Sequence, residues 1–169
     1  MLLEKVTYAI DFGTNKEGQH WKVINDRVMG GLSLSSIVLH DESLVFKGML
    51  SLENNGGFSL VRSPVKLIDL SHFSFVRLRF RSFGRSFAIR MAISERYDHP
   101  NFKHYFSSTT NAWEEVVLKL TDFEEFRLGE KTGKTMTYED LKKIITIGII
   151  INDNKQGPFK IEIDRIAFY

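Results

Sequence analysis

The sequence predicts an all-β protein, an antiparallel β-sandwich carrying one short helix. Three observations point to it. Apolar residues recur with period two, clusters of Asn, Asp, Gly and Ser interrupt them at short intervals, and only residues 137–143 have helical character. Val76, Leu78 and Phe80 alternate with Arg77, Arg79 and Arg81, and Phe87, Ile89, Met91 and Ile93 alternate with Ala88, Arg90 and Ala92. Val116, Leu118 and Leu120 alternate with Val117 and Lys119, and Phe159, Ile161 and Ile163 with Lys160, Glu162 and Asp164. Such alternation sets one face in a core and the other in water. After Ile163 the apolar phase slips to Ile166 and Phe168, which predicts a bulge near Asp164–Arg165.

The remaining elements follow in chain order. Residues 6–12, 34–40, 43–50 and 58–62 read as strands, and 145–151 is apolar on both faces, as a central strand is. Turn residues separate them at Asp41-Glu42, Asn54-Asn55-Gly56-Gly57, Ser82–Arg85, Asp98–Asn101 and Asn152–Pro158. The last of these reads as a hairpin turn. Thr137 followed by Asp140 resembles a capping box at the start of the helix.

The length of 169 residues suits one domain spanning 1–169, and no composition shift, repeat or low-complexity tract divides it. Cysteine is absent, which excludes disulfides, thiolate metal sites and thiol catalysis. Aromatic residues make up 12%, fourteen of them Phe, so the interior is expected to be Phe-rich. The net charge of +2 implies no chain-wide affinity for polyanions. Residues 1–11 carry Glu4 and Lys5 without an apolar run, which fits neither a secretory signal nor a transit peptide, and no apolar stretch is long enough to cross a bilayer. The expectation is a cytoplasmic protein without membrane insertion.

Catalytic and cofactor motifs fail on spacing. Gly129-Glu-Lys-Thr-Gly133-Lys134-Thr135 has three residues between its glycines where a phosphate loop needs four, and no long helix follows. Asn152, Asn154, Gln156 and Gly157 resemble a calcium loop only until its twelfth position, Ile163, where a carboxylate is required. No histidine pair has metal-ligand spacing, and no Gly-x-Ser-x-Gly elbow is present. The expectation is a protein that is not an enzyme and has no cofactor.

Two basic and aromatic features invite recognition. Arg77, Arg79, Arg81, Arg85 and Arg90 are five of the ten arginines, with no acid among them. They form either an anion- or RNA-binding face or a solvated face whose charges pair with acids on neighbouring strands. Trp21 and Trp113 are either sugar-stacking platforms or core residues.

Two polar loops stand out further. One runs Trp21-Lys-Val-Ile-Asn25-Asp26-Arg27-Val28-Met29-Gly30-Gly31-Leu32-Ser33; the other contains Glu53-Asn54-Asn55-Gly56-Gly57-Phe58 and leads to Arg62. Asn and Asp make side-chain turns and tolerate positive φ, and Gly supplies it freely. The loops are therefore either a brace that locks itself or a polar binding surface made of Trp21, Asn25, Asp26, Met29, Gly30, Gly31, Glu53, Asn54, Asn55 and Arg62.

These two stretches resemble the signatures of the complex I intermediate-associated protein family. Trp113 ahead of 116–120, Asp122-Phe123, Ile147-Gly148-Ile149, Gly157-Pro158-Phe159 and Ile163-Asp164-Arg165-Ile166 match as well, so the resemblance runs from about Phe12 to Tyr169. It implies a galactose-binding-like jelly roll akin to carbohydrate-binding modules, and a non-catalytic protein. Mitochondrial members act as assembly chaperones of respiratory complex I, an NADH:ubiquinone oxidoreductase, and plastid relatives occur in RNA-associated factors. The implied partner is a protein such as a complex I subunit or intermediate, with carbohydrate, or RNA through the arginine face, as alternatives. Jelly-roll modules often hold a structural calcium between first and last strands, and by similarity Asp11 and Asp164 are the positions for it.

Overall fold

The computed structural model describes residues 7–13, 17–40 and 42–169. Val6 of the first predicted strand and Asp41 of a predicted turn lie outside the described residues. Among the described residues thirteen strands follow one another: β1 (Tyr8–Asp11), β2 (Lys22–Asn25), β3 (Leu34–Leu39), β4 (Leu44–Leu50), β5 (Ser59–Arg62), β6 (Phe75–Ser82), β7 (Ser86–Ala92), β8 (Asn101–Ser107), β9 (Glu114–Lys119), β10 (Glu124–Arg127), β11 (Glu130–Thr135), β12 (Thr146–Ile151) and β13 (Gly157–Phe168). They form two antiparallel sheets. The first has the order β3-β4-β13-β6-β9, with β1 also on β13, and the second has β11-β10-β8-β7-β12-β5-β2.

Strand β13 is the spine of the first sheet. It pairs with β4 along Gly157–Ile163, with β1 along Arg165–Phe168, and with β6 on its other edge. The register against β6 shifts between Ile163 and Arg165, at the predicted bulge. A one-residue slip turns every following side chain to the opposite face. Here the extra residue keeps Ile166 and Phe168 in the core beside Phe159, Ile161 and Ile163.

One continuous core fills the space between the sheets. Seven phenylalanines, Phe12 and Phe80 among them, are fully buried. Their rings meet edge-on, Phe80 against Phe106 at 4.8 Å and Phe12 against Trp21 at 4.9 Å, the geometry the ring quadrupole favours. The helix α1 (Tyr138–Leu141) is a single turn. Its capping box is as the sequence predicts: Thr137 N–H donates to Asp140 Oδ2 at 2.9 Å, and Asp140 N–H donates to Thr137 Oγ1 at 3.2 Å.

Four strands escape the sequence pattern. Strand β11 is exposed at every position, so it has no apolar period to read. It forms a hairpin with β10 through Leu128 and Gly129, both at positive φ (51° and 80°), as a two-residue turn between twisted strands requires. The stretch 129–135 is thus mostly strand. The segment 152–156 is not a hairpin turn: it carries the chain from β12 in the second sheet to β13 in the first. Arg85 holds that crossing with all five donors. It grips Asp153 bidentately at 2.7 and 2.8 Å and reaches the carbonyls of Lys155, Gly157 and Pro158.

Candidate functional site

The two polar loops meet at Asp26, whose side chain is completely buried. Asn25 caps the short 3-10 turn Asp26–Met29 by accepting the Arg27 N–H, and Gly30, at φ 87°, ends it. The turn aims the Asp26 carboxylate across to the second loop. Oδ1 accepts the Ser33 N–H at 2.9 Å, and Oδ2 accepts the Ser33 hydroxyl at 2.5 Å, the Gly57 N–H at 2.6 Å and the Phe58 N–H at 3.3 Å. The Ser33 hydroxyl in turn accepts the Ser51 N–H at 2.9 Å. Burial by itself raises the Asp26 pKa. The Ser33 hydroxyl and the N–H groups of Gly57, Ser33 and Phe58 outweigh it and hold the carboxyl below its ordinary value.

Two glycines make room for this carboxylate. A Cβ on Gly31 would sit 2.5 Å from Asp26 Cγ, and one on Gly56 would sit 2.6 Å from Oδ2. Overpacking of this kind costs about 1–3 kcal/mol, and the crowded atoms here are themselves fixed by hydrogen bonds. Gly31→Ala is expected to lower unfolding free energy by about 2 kcal/mol in urea titration, whereas Gly30→Asn, at a positive φ with open space around it, changes it by less than about 0.5 kcal/mol.

The buried contacts separate the predicted surface residues. Asp26 and Gly31 belong to the brace, not to a surface. Trp21 is also no surface group: it is only 5% exposed and packs on Phe12. Met29 stands 71% exposed at the tip of the first loop, and Glu53, Asn54 and Asn55 are exposed on the second, both asparagines at positive φ. Leu32 continues the exposed edge into β3, where Leu34 faces its cross-strand partner Met49, both half-exposed. Ser33 and Gly56, which complete the brace, stand inside the two signature stretches, where the sequence does not set them apart from their neighbours.

The arginine run divides. Arg77, Arg79 and Arg81 share the outer face of β6, and acids from adjacent strands meet each of them. Arg77 lies 3.6 Å from Glu115, Arg79 donates to Asp164 at 2.9 Å, and Arg81 Nε donates to Glu162 at 2.8 Å. Two open depressions, of about 520 and 370 Å³, lie on this face among the paired charges. Arg85 is the buried clamp described above. Arg90 lies on β7, in the other sheet, opposite Lys103. The run is therefore not one basic face, because the chain passes from the first sheet to the second between Ser82 and Ser86.

Trp113 is half-buried, and its ring is covered by the guanidinium carbons of Arg79 at 4.7 Å and Arg81 at 5.1 Å. Of the two positions expected for calcium, Asp164 engages Arg79 at 2.9 Å, and Asp11 stands opposite Arg165 in the register of β1 on β13. Among the described residues, no three or more His, Cys, Asp or Glu gather to hold a metal. Nor, among them, is any helix long and apolar enough to cross a membrane.

The sequence profile described as Complex I intermediate-associated protein 30 matches residues 10–163. The mouse (Mus musculus) protein "Complex I intermediate-associated protein 30, mitochondrial" is 24% identical over 193 residues, covering 100% of this chain and 58% of the mouse protein. The chain thus spans little more than half the length of that relative. Among solved structures, the family 11 carbohydrate-binding module of the cellulosomal cellulase Lic26A-Cel5E of Clostridium thermocellum is similar with a TM-score of 0.70 at 13% identity, over 97% of this chain and 95% of that one. A family 11 module from the same organism, in complex with a beta-1,3-1,4-mixed-linked tetrasaccharide, gives a TM-score of 0.64 at 16% identity, over 89% and 88% of the two chains. At such identity the likeness establishes the jelly-roll sandwich and no ligand.

Proposed function

We propose, because this chain belongs to the Complex I intermediate-associated protein 30 family, that it is a non-catalytic assembly module working by protein–protein recognition. The partner this reading names is a subunit or intermediate of respiratory complex I. The observation that carries the reading is the brace at Asp26. It immobilises two loops through buried hydrogen bonds while leaving Met29, Glu53, Asn54 and Asn55 in solvent. Loops fixed before binding lose little entropy on binding, so their contacts go into affinity. The adjoining Leu32, Leu34 and Met49 add an exposed apolar patch of the kind that marks interaction sites.

Carbohydrate recognition has less support. A sugar platform needs a free aromatic face, whereas Trp21 is buried and Trp113 lies under two arginines. Cross-linking capture from native cells tests the choice. The wild-type chain is expected to recover a protein partner, and Met29→Asp with Leu34→Asp to weaken that capture at least about tenfold, the loss expected for removing central anchors. A specific signal on a glycan array, with no protein cross-linked, would reverse the preference.

A further inference from the structure

A row of cations crosses the second sheet. Lys22 on β2 stands opposite Arg62 on β5, Arg62 opposite Gly148 on β12, Gly148 opposite Arg90 on β7, and Arg90 opposite Lys103 on β8. Cross-strand partners share a face, and the neighbours Val61, Ile89, Met91 and Phe102 all point into the core. The row therefore occupies the outer face. Burial deepens along it, from exposed Lys22 through half-buried Arg62 and Arg90 to Lys103, which is only 5% exposed.

Among the described residues, no carboxylate pairs with Arg62, Arg90 or Lys103. Arg62 donates to the carbonyl of Ser63 at 3.0 Å, and the Lys103 ammonium sits 4.0 Å from the centroid of the Phe126 ring. Glu124, which faces Lys103 in register, binds Lys131 at 2.9 Å instead. Burial and then Arg90 push Lys103 down to about 8, and burial and then Arg62 push Arg90 down to about 10. Three like charges held together at a cost in stability mark a place where an anion is missing.

We propose that this outer face binds an acidic segment of the partner protein, with its carboxylates on Arg62, Arg90 and Lys103. Carboxylates spaced along a peptide are complementary in charge to a row of cations on neighbouring strands. A single-stranded nucleic acid would add base stacking on aromatic faces, yet Phe126 on this face is buried and lies under Lys103. The inference rests on the protein-recognition reading above but uses the opposite side of the molecule from Leu34 and Met49.

Fluorescence anisotropy with a labelled oligoglutamate peptide tests it on the full chain. Arg90→Met and Lys103→Met are each expected to weaken binding at least about tenfold, a contribution ordinary for a charge-assisted contact. Arg77→Met with Arg79→Met, which removes two charges from the other face, is expected to change it less than about twofold. A thermal melt of Lys103→Met checks that the variant remains folded, so that its loss of binding is read apart from a loss of structure. The inference is overturned by equal weakening in the Arg77/Arg79 variant, by no binding at all, or by tighter binding of polygalacturonate or an oligothymidylate. If the wild type and Arg90→Met capture the same protein from cells equally well, this site is overturned and the assembly reading stands. If Arg90-dependent peptide binding appears but no protein is captured, the site is supported and only the assembly reading falls.

Discussion

Replacing Asp26 by Ala is expected to lower unfolding free energy by about 4 kcal/mol, out of the roughly 5–15 kcal/mol typical of a folded domain. The substitution removes the acceptor for three backbone N–H groups and one hydroxyl at once. An unsatisfied buried donor costs about 1–3 kcal/mol, and bonds to a charge are the stronger kind. Gly57 and Phe58 are half-buried, so water recovers part of the loss there. Asp26→Asn is expected to cost about 2 kcal/mol, because its amide nitrogen would meet N–H donors where Oδ2 now accepts. Asn54→Gly, at an exposed position with φ 55°, should stay within about 0.5 kcal/mol. The pH dependence has a definite sign. The folded pKa of Asp26 is lowered, so its stabilisation is fully present above the unfolded carboxyl value and is lost as pH falls through the folded one. The difference between wild type and Asp26→Asn should shrink below about pH 4. Urea titration giving less than about 1 kcal/mol for Asp26→Ala would show that the brace contributes little.

The contrast between Asp26 and Asn54 shows where sequence reading ends. Both are small polar residues a few positions ahead of a glycine pair in a signature loop. One is the most buried group of the site and the other stands in solvent. Only contacts with Ser33 and with Gly57, far along the chain, distinguish them. The strands β6, β7, β12 and β13 are legible because each buries one or both faces, and burial is what writes a period into a sequence. Strands β10 and β11 bury too little to write one, and β2 is four residues inside a polar motif. The arginines follow the same logic. Parity places Arg77, Arg79 and Arg81 together because they share one strand, but it cannot be carried past the crossing at 82–86. Their acids come from β9 and β13, whereas Arg62, Arg90 and Lys103, with no carboxylate partner among the described residues, come from β5, β7 and β8. Lys103 gives no warning, since a lysine in a strand normally faces water.

Lys103→Met is expected to stabilise the protein at pH 7, by about 2 kcal/mol. Its pKa falls from the ordinary lysine value to about 8, chiefly through burial and secondarily through Arg90. That difference corresponds to roughly 3 kcal/mol against the charged folded state, at about 1.4 kcal/mol per pH unit. The Phe126 ring under the ammonium returns about 1 kcal/mol, which leaves the net figure. Methionine keeps the length and flexibility of the stem and removes the charge. For a chain of this size the change should raise Tm by about 4–8 °C. The sign with pH is fixed by the direction of the shift. Below about pH 8 both folded and unfolded lysine are protonated and the whole penalty is present; between about 8 and 10.5 the folded state releases its proton first, and wild-type stability climbs towards that of the variant. The two should converge by about pH 10.5, and a difference independent of pH would show that the gain comes from packing instead of charge. A residue whose removal makes the fold more stable is not there for the fold. The same variant loses the acidic peptide, so the stability it gains and the binding it loses measure one charge from two sides.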